Sequence, residues 1–335
     1  VRVIIVLALL LACGASGLHE RSEAIRWLPV WQAVPTLGVS VPDQSVRTTV
    51  DLAAGGTSVR VRLSNLMGIK PVRVEQVTVT ANGETRQLTF GRSRSVTISA
   101  RAEVYSDAVL LTVAKTLDIS TYTPAGTPCQ ARAHRTITST REHICLVSAV
   151  EVAGFTAPGA AVMFGDSITE GFYENTWPSL VQSDYAVLNA GINGNGVVFG
   201  AAPMITRLYR DVLYSDEVRK VVLLGGINDI QNGVSAENVI AGIRTVQLRC
   251  QNEGVQLKVG TVTPWRGWVN WTEDREQQRQ KVNAWIRATF PDVIDFDAAV
   301  RDPSDPLRLR PEFDSGDHLH PNGAAFDAMA RLVRV

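Results

Sequence analysis

Three residues in this sequence have types and surroundings that suit acyl transfer. Ser167 closes the tripeptide Gly165-Asp166-Ser167, and close to the far end the chain reads Asp317-His318-Leu319-His320. A serine hydroxyl is a poor nucleophile at neutral pH unless a base takes its proton. His320 is the candidate base. Asp317, three residues earlier, can fold back to hold the imidazole and stabilise its cation. Attack on a carbonyl develops a negative oxygen that needs donors aimed at it. Glycine lets a backbone N–H approach closely, and an asparagine amide adds another donor. Gly194, Asn228 and the N–H of Ser167 are the candidates for this oxyanion hole. Gly191 and Gly196 neighbour Gly194 and compete with it for the role.

Plainer readings stand beside these. Serine and aspartate both cap helices, and Asp166 and Asp229 read as turn-fixing residues. His318 and His320 have His-x-His spacing, but a metal site needs further ligands, and the sequence places none. The expectation is catalysis without metal or cofactor.

Such residues must be positioned by a scaffold. From about Ala160 onward, short apolar runs alternate with longer helical stretches. The runs are Ala160 to Phe164, Ala186 to Leu188, Val221 to Leu224, Leu257 to Val262 and Val293 to Phe296. Between them Val239, Ile243 and Val246 share a helical face, as do Val282, Trp285 and Ile286. A last helix is expected from near Pro321, with Ala325, Met329 and Leu332 at helical spacing. Buried strands alternating with helices make a parallel sheet covered on both faces, and ligands bind outside the carboxyl ends of such strands. The polar clusters follow the runs: Gly165 to Thr169, Asn189 to Gly196, Gly225 to Asp229, and finally Asp317 to Asn322.

The preceding half reads differently. Val59, Val61 and Leu63 alternate with Arg60 and Arg62, followed by alternating segments around Val72–Val79, Val96–Ile98 and Val109–Val113, with Asn82-Gly83 as a turn. Alternation with tight turns marks half-buried antiparallel strands, and several over about 120 residues suggest a sandwich or jelly roll. The arginines are expected on its outer, solvated face. We expect an all-β domain over 25–155 and an α/β domain over 158–335.

Taken together the four clusters resemble the SGNH, or GDSL, hydrolase family. Its blocks carry a serine in Gly-Asp-Ser, a glycine, an asparagine in Gly-x-Asn-Asp, and Asp-x-x-His. Here these are Ser167, Gly194, Asn228, and Asp317 with His320, in the family's order. One departure is Asn193, where the family usually has serine. The resemblance implies a flavodoxin-like three-layer α/β/α fold and metal-free ester hydrolysis through an acyl-enzyme, with Ser167, Gly194 and Asn228 as the oxyanion hole. WLPVWQ at 27–32, VRVRLSNLMG at 59–68 and SVTI at 95–98 resemble the β-rich domain of a secreted subgroup. That subgroup holds arylesterases and acylhydrolases, some associated with xylan-degrading systems. An α/β-hydrolase would need Gly-x-Ser-x-Gly, and Thr169 occupies the last position.

Composition bounds the partners. The 33 basic residues balance 33 acidic ones, so charge gives no reason to expect nucleic acid or an anionic membrane surface. Arg2, the apolar run Val3 to Leu11 and the small residues Ala12 to Ser16 have the layout of an export signal over 1–17. Leu10-Leu11-Ala12-Cys13 also resembles a lipoprotein box. Lipidation of Cys13, with membrane anchoring, and ordinary cleavage after Ala15 or Gly17 both stand open. In an exported protein Cys129 and Cys145 are free to pair, while Cys250 reads as a buried thiol. The sequence gives no oligomeric state.

Trp265, Trp268 and Trp271 fall in the loop after the fourth run, at the sheet edge that carries the site. They either pack against the β domain or set substrate choice by stacking on sugar rings or lining an acyl pocket. The leading expectation is an exported serine esterase for a small-molecule or polysaccharide ester, with acetate on carbohydrate foremost. An arylesterase or lysophospholipase is the enzymatic alternative. A non-catalytic carbohydrate-binding or cell-surface protein on an esterase fold is the alternative of another class.

Overall fold

A computed structural model describes residues 25–36, 38–41, 45–131, 143–171 and 176–335. The expected export signal over 1–17, with Cys13, lies outside the described residues.

The N-terminal region is all β. In one antiparallel sheet Leu28–Gln32, Val147–Ala153, Gly56–Ser64 and Val109–Val113 lie side by side, and Glu103–Tyr105 also pairs with Gly56–Ser64. In a second sheet the order is Ser45–Asp51, Thr116–Tyr122, Gln76–Ala81, Glu84–Gln87. Alternation makes the core here: Val77, Val79, Leu117 and Ile119 from the second sheet share one cluster with Val59, Val61 and Leu63 from the first. The hairpin at Asn82-Gly83 has both residues in the left-handed region, at φ 52° and 78°, the turn that matches strand twist. Cys145 is disulfide-bonded, and the residue opposite it in the ladder is Cys129. Cys250 is a free buried thiol, and burial pushes its pKa up to about 12.

The C-terminal region is built on a parallel sheet of β1 (Ala160–Gly165), β2 (Ala186–Gly191), β3 (Val218–Leu224) and β4 (Gln256–Val259), in the order β2-β1-β3-β4. Every residue of β1 is buried, as a strand covered on both faces requires. Around it run α1 (Ser167–Glu170), α2 (Trp177–Leu180), α3 (Met204–Asp211), α4 (Ile227–Gln231), α5 (Ala236–Asn252), α6 (Glu273–Thr289), α7 (Phe296–Val300) and α8 (Gly323–Ala330). The helices pack among themselves in two sets, α3 to α6 and α2 with α7 and α8. This is the α/β/α layering of a flavodoxin-like fold. No helix among the described residues is long and apolar enough to cross a membrane.

Three expectations need correction. The fifth apolar run, Val293 to Phe296, is not a strand. Only Ile294 bridges Gly260, in parallel, because Asp295 accepts from the N–H of Ala298 and starts α7 at Phe296. The last helix ends at Ala330, so Leu332 lies beyond it and is exposed.

The third correction concerns the arginines of Gly56–Ser64, which do not face solvent. Arg62 is buried, donates to Ser148 Oγ at 3.0 Å and lies 4.6 Å over the Tyr214 ring of the C-terminal region. Arg60 pairs with Glu151 and stacks on Trp27. The alternation is real, but both sheet faces are covered: one by the sandwich core, the other by the C-terminal region. Strand Leu28–Gln32 lies beside the edge strand β2, where Gln32 Nε2 donates to the Asn189 carbonyl at 3.3 Å. Arg26 forks onto Glu217 at 2.6 and 2.5 Å.

Candidate active site

The strand β1 delivers Ser167. Gly165 ends the strand in a crowded place: a Cβ there would stand 2.2 Å from Thr169 Oγ1 and 2.5 Å from the Leu224 carbonyl. Asp166 caps α1, its Oδ1 accepting from the Ile168 N–H at 2.9 Å. Ser167 is therefore the first residue of a helix, where backbone N–H groups lack intrahelical partners.

The loop before α8 delivers the candidate base. His320 Nε2 lies 3.0 Å from Ser167 Oγ, and His320 Nδ1 lies 2.6 Å from Asp317 Oδ2. The other oxygen of Asp317 accepts from the Leu319 and His320 N–H groups at 2.9 and 2.8 Å. Partial burial works to raise the Asp317 pKa, but these backbone bonds and the imidazole outweigh it and hold the carboxyl below its ordinary value. An ionised Asp317 fixes the tautomer: with the proton on Nδ1, Nε2 is left to accept from the serine.

The loops after β2 and β3 bring the remaining blocks to the same edge. Gly194 has φ 71°, and a Cβ on it would meet nothing within 4 Å. Gly191 and Gly196 are different, since added Cβ atoms would collide with the Glu170 backbone at 2.1 Å and the Asp229 carboxylate at 2.9 Å. Those two glycines serve packing, and Gly194 stands at the open rim. Among the described residues neither its N–H nor that of Ser167 has an acceptor. Asn228 donates one amide hydrogen to the Asn195 carbonyl at 3.2 Å, which orients the group and leaves its second N–H.

Several supporting residues were only partly visible from sequence. Asp229, read as turn-fixing, accepts from the N–H groups of Val197, Val198 and Phe199 at 2.7, 2.8 and 3.0 Å. Burial nonetheless raises its pKa. Glu170, which the sequence did not single out, is buried and accepts from the Asn193 N–H at 2.5 Å, one residue before Gly194. The signal for it was slight: a carboxylate at the end of a buried turn. Burial raises the Asp166 pKa to about 7, with Asp229 adding to the effect.

The tryptophans separate. Trp265 is wholly buried and supports its loop from beneath, so it offers no face to a ligand. Trp268 stands edge-on to His320, with ring centroids 6.2 Å apart. Trp271 is partly buried against the core. The Nε1 of each is buried without a partner among the described residues. The same loop presses at Gly267 on the segment that carries His320, where a Cβ would lie 2.7 Å from the His318 ring. His318 itself has φ 68° and turns its Nδ1 to Asp314 Oδ2 at 2.6 Å. Among the described residues no cluster of three His, Cys, Asp or Glu is placed to hold a metal.

Comparison with known proteins adds a family. Residues 163–328 match the model of the GDSL-like Lipase/Acylhydrolase family. Solved structures similar to this chain include a G-D-S-L family protein from Desulfitobacterium hafniense, at 19% identity and TM-score 0.45, covering 52% of this chain and 99% of that one. A GDSL-like lipase from Bacteroides thetaiotaomicron is 22% identical with TM-score 0.44, covering 52% and 85%. A catalytic mutant of an acetylxylan esterase from Geobacillus stearothermophilus is 20% identical with TM-score 0.41, covering 52% and 92%. No curated protein matches the sequence.

Proposed function

The chain belongs, through residues 163–328, to the GDSL-like lipase/acylhydrolase family and is an ester-bond hydrolase, and from that premise we propose an exported serine esterase that removes small acyl groups, acetate foremost, from carbohydrate. The observation that carries the catalytic part is the continuous chain Ser167–His320–Asp317, with links of 3.0 and 2.6 Å.

In this reading His320 Nε2 takes the Ser167 proton as Oγ attacks the ester carbonyl. The tetrahedral oxyanion is met by the N–H groups of Ser167 and Gly194 and the free amide hydrogen of Asn228, donors fixed before the charge appears. His320 then protonates the departing alcohol, leaving an acyl-serine. A water takes the alcohol's place and attacks the acyl carbon while giving a proton to the same nitrogen, and the imidazolium returns that proton to Ser167 Oγ as the acyl–oxygen bond breaks and the acid leaves. Asp317 stays ionised and steadies the imidazolium.

For substrate, two features support a small acyl group on a ring-bearing alcohol. Trp268 stands beside the imidazole, with ring centroids 6.2 Å apart, which puts an aromatic ring within reach of a group bound at Ser167. The β region carries the segments resembling the secreted, xylan-associated subgroup. An aryl ester would use the same tryptophan, so an arylesterase is the second reading, and a lysophospholipase is a more distant member of the same alternative. A non-catalytic binder has less support, because the hydrogen-bonded chain is intact. Export is supported by the leader and by the disulfide at Cys145, a bond of oxidising compartments. Mass spectrometry of the mature N-terminus distinguishes a lipidated Cys13 from cleavage after Ala15 or Gly17.

The test is hydrolysis of 4-nitrophenyl acetate by the parent and by Ser167→Ala. We expect a loss of about 10⁴-fold or more; equal rates would sink the serine mechanism. Acetate release from acetylated xylan, measured beside aryl acetate and lysophospholipid hydrolysis, ranks the substrate readings.

A further inference from the structure

One side chain outside the four sequence blocks touches two of them directly and a third at one remove. Arg207 lies on α3 and is 2% exposed. Its Nη2 donates to the Gly165 carbonyl at 2.8 Å, two residues before Ser167. Its Nη1 donates to the Ala190 carbonyl at 2.9 Å, near the end of β2, and to Asp211 at 3.2 Å. Its Nε donates to Asn195 Oδ1 at 2.8 Å. Asn195 is the residue after Gly194, and its carbonyl is the acceptor that orients the Asn228 amide. The guanidinium also lies 4.4 Å over the Phe164 ring in β1.

A buried cation is expensive to desolvate. If its only task were to fill space, an apolar side chain would do as well. A guanidinium offers something else, a rigid planar fork whose donors keep fixed angles to one another. Here the fork joins the carboxyl ends of β1 and β2 and, through Asn195, the asparagine that follows β3. Burial works to lower its pKa, and Asp211 and Asp166 oppose the shift; the resulting value of about 10 leaves it charged at neutral pH.

We propose that Arg207 is the positioning residue of the oxyanion site, setting the spacing of the Ser167 N–H, the Gly194 N–H and the Asn228 amide through its bonds to Gly165, Ala190 and Asn195. The assignment rests on the serine mechanism proposed above. It requires that loosening the fork harm transition-state binding more than substrate binding.

Two variants test it. Asn195→Ala removes one bond of the fork and keeps the buried Arg207–Asp211 pair. Arg207→Lys keeps the charge and loses the planar geometry. Active sites are titrated with a fluorophosphonate, so that misfolded protein is not counted. The readouts are kcat per titrated site and KM for 4-nitrophenyl acetate, and the Ki of phenylboronic acid, whose serine adduct is tetrahedral. We expect kcat per site to fall about 10–100-fold, a part of what a whole donor contributes. The boronate Ki should weaken by a similar factor, with KM within about threefold. A folded Asn195→Ala with kcat per site and boronate Ki within about twofold of the parent would overturn the proposal, even if its Tm fell, because a purely structural role predicts that result. Ser167→Ala separates the two levels of inference. If it is dead while Asn195→Ala is unaffected, only the Arg207 assignment fails. If it hydrolyses at the parent rate, the serine mechanism fails and takes this assignment with it.

Discussion

The two regions of this molecule differ in where the hydrogen bonds of their charged residues lead. In the β region the charges hold one part of the chain against another: buried Arg62 lies over Tyr214, half-buried Arg60 pairs with buried Glu151, and exposed Arg26 pairs with buried Glu217. None of these touches the serine or the histidine. In the α/β region one set of polar residues sits where strands stop, and its bonds lead toward Ser167, Gly194 and Asn228; another, buried Arg279 with Glu276 and Asp297, ties α6 to α7. Burial alone therefore says little about a polar residue's task; where its hydrogen bonds lead says more. If that distinction holds, substitutions in the two regions should separate rate from stability.

The largest separation is expected at His320. His320→Gln removes the base and the acid of both half-reactions, and kcat for 4-nitrophenyl acetate should drop about 10⁴-fold. Thermal stability should change little, because the ring is part-exposed and its loop is held independently by Asp317 and Asp314. A variant retaining a tenth of the activity would remove the histidine from the mechanism.

Next comes Asn228. Asn228→Ala deletes one oxyanion donor and should cost about 10²–10³ in kcat with KM nearly unchanged. A rise in KM alone would make Asn228 a substrate-binding residue instead.

The site was more legible in the sequence than the frame around it, for a physical reason. Ser167, Asp317 and His320 are tied to their chemistry by type, and parallel strands place whatever follows them at one edge. The alternation of Val59, Val61 and Leu63 was equally clear as a strand signal, but alternation reports two faces without saying what covers each. Arg60 and Arg62 were therefore assigned to solvent, while the second face meets Tyr214 and Trp27. Val293 to Phe296 failed for another reason: Asp295 inside an apolar run is a capping residue, and the cap prevailed over β propensity. Glu170 and Arg207 are hard to see in the sequence because each bonds backbone groups, the Asn193 N–H for the one and the Gly165 and Ala190 carbonyls for the other, which no side-chain pattern encodes.

Arg62 tests the other half of the comparison. Arg62→Ala leaves Glu103, 3.6 Å away, without its cation and uncovers the Tyr214 ring. The cost should be on the order of 3 kcal/mol, seen as a Tm lower by several degrees. The kcat measured at a temperature where the variant stays folded should remain within about twofold. A kcat loss above tenfold in folded protein would mean that the β region shapes the active site as well as supporting it.

The smallest effect concerns Asp166, where site and stability meet. Its carboxyl titrates near 7 in the folded protein because it is buried, against about 3.9 in an unfolded chain. Between those values the folded state holds a proton that the unfolded state has released. Stability must therefore fall as pH rises from about 4 to about 7, and level off above. Asp317 acts in the opposite sense, its depressed pKa adding stability that is lost only as pH falls below the ordinary carboxylate range. Asp166→Asn keeps an oxygen that can accept from the Ile168 N–H and removes the titration. Measured as the difference in Tm between variant and parent, other groups cancel. That difference should shift by a few degrees in the variant's favour between pH 5 and pH 8. No shift over that range would mean that Asp166 is already ionised in the folded protein, with the cap and the buried Arg207 offsetting its desolvation.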